Sequence, residues 1–491
     1  MAQITIVGLG PGAPEHLTRE AWDVLSTAGE VWLRTARHPV TAELPQGPVL
    51  RAFDDLYEQA STFEEVYATI VRQVLDLGHR ETGVVYAVPG HPLVGEATVS
   101  RILKASREMA IPVRVVAGLS FIEPTLAALA LDALDGVQIV DALDVAALHH
   151  PPLNPDMSTL IAQVYSRAVA SELKLVLMNQ YPDEHPTALV DAAGTKAESV
   201  TWLPLYEIDR QEVTPLTSLY VAPYMASSRY GAPPATSFEG LQETVARLRA
   251  PDGCPWDREQ THASLRANVL EETYEVLAAI DGDDPDALRE ELGDLLLQVA
   301  LQTQIAVEEG EFQMADVIAG IDAKLKHRHP HVWGEVQVAS AEDVCTNWEA
   351  IKRQEREANG TAERSLLDGV PKVLPALAQA YAYGSRAARV GFDWREIGGV
   401  IEKVQEEMGE LARAGSPEEQ TGELGDVLFA VANWARWLQV DPESALREAN
   451  LRFARRFRHL ESEARRRGVS LEQMSLEEMD DLWEEAKTRQ A

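Results

Sequence analysis

Two pairs of acidic clusters have the spacing needed to hold divalent cations. In the first pair, Glu272 stands three positions before Glu275, and Glu291 stands three positions before Asp294. Both clusters lie in apolar-periodic sequence typical of helix, where this spacing places two side chains on one face. The turn signal at 281–285 predicts an antiparallel hairpin on which the four carboxylates converge. Oxygen ligands of this kind suit Mg²⁺ or Mn²⁺ rather than zinc.

The same pattern recurs near the end of the chain. The second set of candidate metal ligands is Glu407, Glu410, Glu423 and Asp426. Gly422 stands where the first copy has Glu290, so one auxiliary acid is lost. A solvated acidic face is the alternative interpretation of such charge runs. Apolar runs at 295–297 and 427–429 follow directly, so the acids border a core, and the repetition favours two metal sites.

The composition limits the class of protein. A chain of 491 residues predicts two to four domains. The net charge of −34 argues against an extended nucleic-acid surface and suits phosphate ligands that arrive with a metal ion. Two cysteines, Cys254 and Cys345, cannot build a disulfide framework, which favours a reducing cytoplasm. The sequence has no apolar run long enough to span a membrane, so no membrane partner is expected.

Strand and helix signals alternate through the first 225 residues, which predicts an α/β fold. Four short apolar runs rich in β-branched residues predict strands, and the amphipathic run between two of them predicts a helix at Phe63–Leu77. The predicted strands are Ile4–Gly8, Val84–Val88, Val113–Ala117 and Leu173–Met178. Ligands of open α/β sheets gather at the loops that follow such strands.

Three glycine loops follow predicted strands, with the sequences GLGPG, VPGHPLVGEAT and AGLSF. This order resembles the tetrapyrrole-methylase fold, which implies two α/β subdomains and S-adenosylmethionine in the cleft between them. The cofactor-binding positions implied by the resemblance are Gly90, Val94, Gly118, Ser120 and Met178. Many family members carry an acid where this chain has His91, so we expect weak binding of S-adenosylmethionine.

Beyond residue 225 the strand signals end, and the chain has the pattern of helices to its last residues. We predict a tetrapyrrole-methylase-like domain at 1–228, a linker at 229–237, and two all-α domains at 238–360 and 361–491. A hinge signal at 359–361 separates the two helical domains, which form an internal repeat.

A basic pair follows the second acidic helix in each repeat. Lys324 and Arg328 correspond to Arg452 and Arg456. Cations on a helix surface ordinarily serve solubility, whereas their recurrence beside carboxylates favours contact with phosphate. For Arg452 and Arg456, which lie in an arginine-rich helix, both interpretations stay open.

The helical part carries many motifs of one family in order. The first repeat has CPWD, LEETYEV, REELGDLL and RHPHVWG, and the second has VGFDW, EEMGEL and GELGDVLFAVAN. They resemble the MazG family, which implies all-α, Mg²⁺-dependent hydrolysis of nucleoside triphosphates. Cys254 with His329 and His331 lacks the ligand spacing of a zinc site, so we interpret these residues as structural.

The resemblance implies cleavage to a nucleoside monophosphate and pyrophosphate, a reaction that cleans the nucleotide pool. The acids implied in catalysis are Glu271, Glu272, Glu406 and Glu407. Trp256 is either a base-stacking residue or a buried structural one. Dimers or larger homo-oligomers are implied. The alternative function is an S-adenosylmethionine-dependent methyltransferase or a ligand-sensing front domain with a regulatory helical part.

Overall fold

The fold was examined in a computed structural model, which describes residues 4–60, 62–227, 234–358 and 365–488. Residues 229–233 of the predicted linker and the predicted hinge at 359–361 lie outside these ranges. The chain forms two compact units, Met1–Glu259 and Gln260–Ala491. The boundaries of the four predicted segments stay predictions.

The described part of the first unit contains ten strands and nine α-helices. The strands are β1 (Ile4–Gly8), β2 (Glu30–Leu33), β3 (Val49–Ala52), β4 (Val84–Val88), β5 (Val113–Val116), β6 (Val137–Asp141), β7 (Ser158–Ala162), β8 (Pro186–Asp191), β9 (Ser199–Pro204) and β10 (Thr217–Val221). The helices are α1 (Arg19–Thr27), α2 (Asp54–Gln59), α3 (Phe63–Gly78), α4 (Ala97–Glu108), α5 (Ile122–Leu129), α6 (Ala142–Ala146), α7 (Arg167–Leu177), α8 (Phe238–Arg249) and α9 (Pro255–Glu259).

The first sheet is parallel throughout, with strand order β3-β2-β4-β1-β5. Apolar side chains of α3 and α4, such as Ile70 and Ile102, pack on one face of it. Leu25 of α1 packs on the other face. Helices on both faces bury both sides of the strands, which is why these strands are continuous apolar runs in the sequence.

The second sheet is mixed, with strand order β6-β7-β10-β8-β9. Only β6 and β7 are parallel, and the other neighbours are antiparallel. Helices α6 and α7 cover one face, and Ile122 and Leu126 of α5 cover the other. The predicted α/β fold with two subdomains is confirmed.

The predicted strand at Leu173–Met178 is wrong, because this segment belongs to helix α7 and its cap. The buried residues of α7 are Val169, Ala170, Leu173, Val176 and Leu177. Their spacing of three or four positions is that of a helix, and six residues are too short a window to show it.

Asp156 fastens the start of α8 to the second sheet's subdomain. Its carboxylate accepts hydrogen bonds from the backbone N–H and the hydroxyl of Thr236, at 2.7 and 2.6 Å. It also accepts from the backbone N–H of Ser237 at 3.1 Å and from the Ser237 hydroxyl. Ser237 is the N-cap of α8, so Asp156 fixes where this helix begins.

The second unit is helical throughout its described part, as predicted. Its helices are α10 (Arg266–Asp281), α11 (Pro285–Glu309), α12 (Met314–Arg328), α13 (Pro330–Trp333), α14 (Ala341–Ala358), α15 (Ala376–Arg389), α16 (Ile397–Arg413), α17 (Pro417–Trp437), α18 (Pro442–Arg467) and α19 (Leu476–Thr488). Among the described helices of the chain, none has both the length and the apolar character needed to cross a membrane.

The two repeats meet within this unit. The Arg447 Nε of α18 lies 3.1 Å from the Asp281 carboxylate at the end of α10. Only 22% and 18% of these side chains are exposed, so water screens this ion pair less than a surface pair. The contact joins the first acidic helix to the basic helix of the second repeat.

Candidate active site

The first acidic centre lies on the hairpin of α10 and α11. The Asp284 carboxylate caps α11 by accepting from the N–H groups of Asp286 and Ala287, at 3.0 and 3.1 Å. The short connection before it turns α11 back along α10. Carboxylate oxygens of Glu272, Glu275 and Glu291 lie within 4.8 Å of one another.

Negative charge is concentrated at this centre. Loss of water around Glu272 raises the pKa of its carboxyl, and a hydrogen bond shared with Glu275 and the charge of Asp294 raise it further. The pKa of Glu291 is also raised, by loss of water and by the charges of Glu275 and Asp294. All four predicted ligands of the first repeat therefore interact across the hairpin. Glu271 is exposed beside them, and its charge also raises the pKa of Glu272.

The second acidic centre repeats this geometry on the hairpin of α16 and α17. Carboxylate oxygens of Glu407, Glu423 and Asp426 lie within 4.8 Å of one another. Loss of water raises the pKa of Glu423, and the charges of Glu410, Glu407 and Asp426 raise it further. Glu407 is 8% exposed, whereas the acids of the first centre are half-buried or exposed.

Lys403 distinguishes the second centre from the first. Its ammonium lies 2.8 Å from Glu407 Oε1 and 3.2 Å from Glu406 Oε1. These hydrogen bonds raise the pKa of Lys403 well above its ordinary value, so it stays charged. The sequence interpretation missed this residue, although it stands four positions before Glu407, one helical turn away. The first repeat has Asn268 at the corresponding position.

An apolar cavity of about 340 Å³ adjoins the second centre. Lys403, Glu407 and Asp426 line one part of it. The aromatic side chains in its wall are Tyr383, Phe392, Trp394 and Phe429. Flat aromatic rings beside charged groups suit an amphipathic ligand with a planar ring.

Arg436 makes hydrogen bonds to two side chains at the polar end of this cavity. Its guanidinium donates to Asn433 Oδ1 at 2.8 Å and to Asp393 Oδ1 at 2.6 Å. Asn433 is buried at 5% exposure, and a side chain at Gly384 would approach its Oδ1 to 2.8 Å. The absence of a side chain at Gly384 therefore lets Asn433 line the cavity.

Both acidic centres fit the Mg²⁺ that the family resemblance implies. The donors are carboxylate oxygens alone, the set that hard divalent cations prefer. Loss of water raises the pKa values of Glu272, Glu291 and Glu423, and the charges of neighbouring acids raise them further; a bound cation would offset these charges. The roles of the individual ligands stay predictions.

The predicted phosphate-binding cations have varied surroundings. Arg328 donates to both oxygens of Glu355, at 3.2 and 2.7 Å, and is therefore already paired with an acid. Arg452 lies 3.1 Å from Glu448 on the exposed face of α18. The Arg456 guanidinium lies 5.7 Å from the centre of the Trp483 ring. Lys324 is exposed on α12. Their contact with phosphate stays a prediction.

Trp256 is 58% exposed in α9, so the alternative interpretation as a buried structural residue is wrong. It belongs to the first compact unit, whereas the acidic centres belong to the second. Base stacking by Trp256 stays a prediction.

The glycine loops of the front part pack backbone against backbone. Gly10 and Gly90 form an isolated bridge, with N–H···O distances of 3.2 and 2.8 Å. A side chain at Gly118 would approach the Gly90 carbonyl oxygen to 2.5 Å, and one at Gly8 would approach the Gly118 nitrogen to 2.6 Å. Contact between the loops thus explains two of these glycines without a ligand.

The predicted cofactor-binding positions differ in their environment. Gly90 has φ of +66° and open space where a side chain would stand, so the loop leaves room for a ligand. Val94 is half-buried in the same loop. The N–H and hydroxyl of Ser120 both donate to Glu123, at 2.9 and 2.6 Å. Met178 lies at the end of α7 and not after a strand.

Comparison with known proteins identifies the family. The model of the MazG nucleotide pyrophosphohydrolase domain matches residues 260–333, and the model of the tetrapyrrole (corrin/porphyrin) methylases matches residues 3–209. The nucleoside triphosphate pyrophosphohydrolase/pyrophosphatase MazG of Thermotoga maritima is 44% identical over 250 residues, which are 51% of this chain and 95% of that protein. The chain belongs to the MazG family.

One relative matches the chain over nearly its whole length. The uncharacterized protein YabN of Bacillus subtilis (strain 168) is 43% identical over 491 residues, which are 99% of this chain and 98% of that protein. Among solved structures, uroporphyrin-III-C-methyltransferase from Thermus thermophilus is 25% identical with a TM-score of 0.35, over 45% of this chain and 92% of that chain. The family match at 3–209 covers the front part, which is therefore similar to the tetrapyrrole methylases.

Proposed function

We propose that the helical unit hydrolyses nucleoside triphosphates to nucleoside monophosphates and pyrophosphate. The observation that carries this proposal is the second acidic centre with its adjoining cavity. Carboxylates that suit Mg²⁺ border a pocket with four aromatic side chains, and a triphosphate joined to a planar base has this combination of charge and ring. The T. maritima relative carries this activity in its name.

The proposed roles follow from the contacts. Glu407, Glu410, Glu423 and Asp426 hold Mg²⁺, and the corresponding set of the first repeat is Glu272, Glu275, Glu291 and Asp294. When bound, the ion would supply charge neutralisation at the triphosphate oxygens and would lower the pKa of an attacking water. Glu406 and Glu271 stand next to ligand positions and accept the proton of that water. Lys403, which contacts Glu407, would also donate to a phosphate oxygen of a bound triphosphate, since an ammonium donates to either.

We propose that the second centre is the principal one. It has the buried ligand Glu407, the cation Lys403 and the aromatic cavity. At the first centre the acids are more exposed, and Asn268 replaces the lysine. The two centres have the same set of candidate acidic ligands and differ in the residues around those ligands.

The experiment is release of pyrophosphate from a panel of nucleoside triphosphates, with and without Mg²⁺. We expect Asp426→Ala to remove most of the activity of the full chain and Asp294→Ala to remove a smaller part. The double variant should lose the Mg²⁺-dependent reaction, while Glu418→Gln, an exposed acid in the first turn of α17, should keep it. Full activity in the double variant would show that the metal assignment is wrong.

We propose that the front domain binds S-adenosylmethionine weakly. The open space at Gly90 supports a ligand in this loop, whereas His91 stands where many relatives of this fold carry an acid. Calorimetry of the full chain should give weak binding. Tight binding, together with methylation of a tetrapyrrole precursor, would support the alternative function instead.

A further inference from the structure

A histidine before the first acidic helix faces the far end of α11. The Nδ1 of His262 contacts the side-chain oxygen of Gln302. Because an amide oxygen can only accept, Nδ1 is the donor in this contact, which leaves Nε2 for another partner. This is the arrangement in which a metal-binding histidine is usually held, with its other ring nitrogen donating to a neighbouring oxygen.

Two carboxylates stand opposite the Nε2 atom of His262. The Nε2 atom lies 4.0 Å from Glu309 Oε2 and 3.9 Å from Glu311 Oε2. Glu309 is the last residue of α11, and Gly310 follows with φ of +72°. This left-handed residue reverses the chain, and the Glu311 N–H donates back to the Ala306 carbonyl. The turn is what brings the second carboxylate beside the first.

The His262 Nε2 atom is buried from solvent and makes no hydrogen bond. This atom faces two carboxylates, at the C-terminal end of a helix where the macrodipole is also negative. Ligand atoms of all three residues lie within 4.8 Å of one another, close enough to share one ion.

We propose that His262, Glu309 and Glu311 bind a divalent transition-metal ion, such as Zn²⁺, at a site separate from both acidic centres. An imidazole with two carboxylates suits Zn²⁺ or Mn²⁺ and disfavours Mg²⁺, which prefers oxygen ligands. Glu309 lies fifteen residues beyond Asp294 on the same helix, roughly 22 Å along its axis. The ion therefore fastens the segment before α10 to the end of α11 and does not take part in the proposed hydrolysis.

The test is the amount of Zn²⁺ that the full chain retains after dialysis against Zn²⁺ with excess Mg²⁺. We expect the wild type and Glu308→Gln to retain one more ion per chain than His262→Gln or Glu309→Gln. Glu308 is the matched control, because it is adjacent in α11 but contacts Gln304 instead. With Co²⁺ as the probe, the visible absorption of the bound ion should be lost in His262→Gln.

Thermal unfolding gives a second readout that is independent of catalysis. Zn²⁺ should raise the melting temperature of the wild type and Glu308→Gln by mass action and leave that of Glu309→Gln unchanged. Equal Zn²⁺ content in all four chains would overturn the proposal. Equal loss from Glu308→Gln and Glu309→Gln would overturn it too, since the ion would then follow helix-end charge and not the three ligands.

Discussion

At the scale of residues, the acids of the two centres oppose folding when they are all charged. Glu272, Glu291 and Glu423 have raised pKa values, because each loses water and faces like charges. A carboxyl with a raised pKa stabilises the folded chain in its protonated form. That stability is present below the ordinary carboxyl pKa and is lost as the pH rises through the raised value. At neutral pH the three charged groups therefore lower the stability of the fold, which fits the proposed role as metal ligands.

Glu423→Gln tests whether these acids lower the stability of the fold while they serve activity. Removing one charge relieves repulsion from Glu410, Glu407 and Asp426, so the melting temperature at neutral pH without Mg²⁺ should stay equal or rise. Loss of a residue that hydrogen-bonds a metal ligand lowers activity by roughly 10- to 100-fold. Because Glu423 is itself a proposed ligand, its loss should lower pyrophosphate release by the second centre by more than this factor. Scanning calorimetry and a release assay measure both. A sharply lower melting temperature would mean that Glu423 is structural.

At the scale of elements, the glycine loops show which sequence signals are structural. Gly118→Ala should destabilise the first unit by about 2 kcal/mol or more, because its side chain would overlap the Gly90 carbonyl. Gly29→Ala is the matched control, since a side chain there meets nothing within 4 Å. Urea unfolding of both variants measures the difference. An equal effect of the two changes would show that the backbone contact is not tight.

The Asp156 contact gives a prediction with a pH dependence. Partial burial alone would raise the pKa of Asp156, but hydrogen bonds from Ser237 and Thr236 outweigh it and lower the pKa. A lowered carboxyl pKa stabilises the fold above the ordinary value, and this stability is lost as the pH falls through the lowered value.

Asp156→Asn should therefore lower the stability of the first unit at neutral pH by about 1–2 kcal/mol. It should also weaken the loss of stability in acid. Asp135→Asn, an exposed acid of the same unit, should change neither. Urea unfolding at several pH values measures both effects, and identical pH profiles for wild type and Asp156→Asn would contradict the assignment.

The sequence predicted the helical hairpins well because their signal is local. The acids repeat at helical spacing on both sides of the turn signal at 281–285, and α10 ends and α11 begins at that turn. The strand predicted at Leu173–Met178 failed because a short apolar run fits either period. Lys403 and His262 were missed for a different reason. Their importance depends on partners and cavities that come together only in three dimensions.

At the scale of the whole molecule, the helical unit leaves apolar surface uncovered. On α12, the exposed side chains include Ile318, Ile321 and Leu325, at 50%, 48% and 45%. Contiguous apolar surface of this kind marks an interface. We therefore expect a second copy of the chain to cover it, in keeping with the predicted homo-oligomer.

Ile321→Glu should shift the sedimentation coefficient of the full chain toward that of a monomer, because a charge would be buried in the interface. Leu134→Glu, at a 94% exposed position in the first unit, should leave the association state unchanged. If the wild-type chain sediments strictly as a monomer, the apolar face of α12 has another purpose.

The ion pair between Asp281 and Arg447 constrains how the repeat can evolve. Each repeat supplies one partner of a largely buried pair, so a descendant that lost either copy would keep an uncompensated charge. We therefore expect the two halves to be kept together in evolution, while the chemistry of each half can change independently away from this contact. Among descendants of the same duplication, positions 281 and 447 should change together, through exchange of charge or joint replacement by apolar residues.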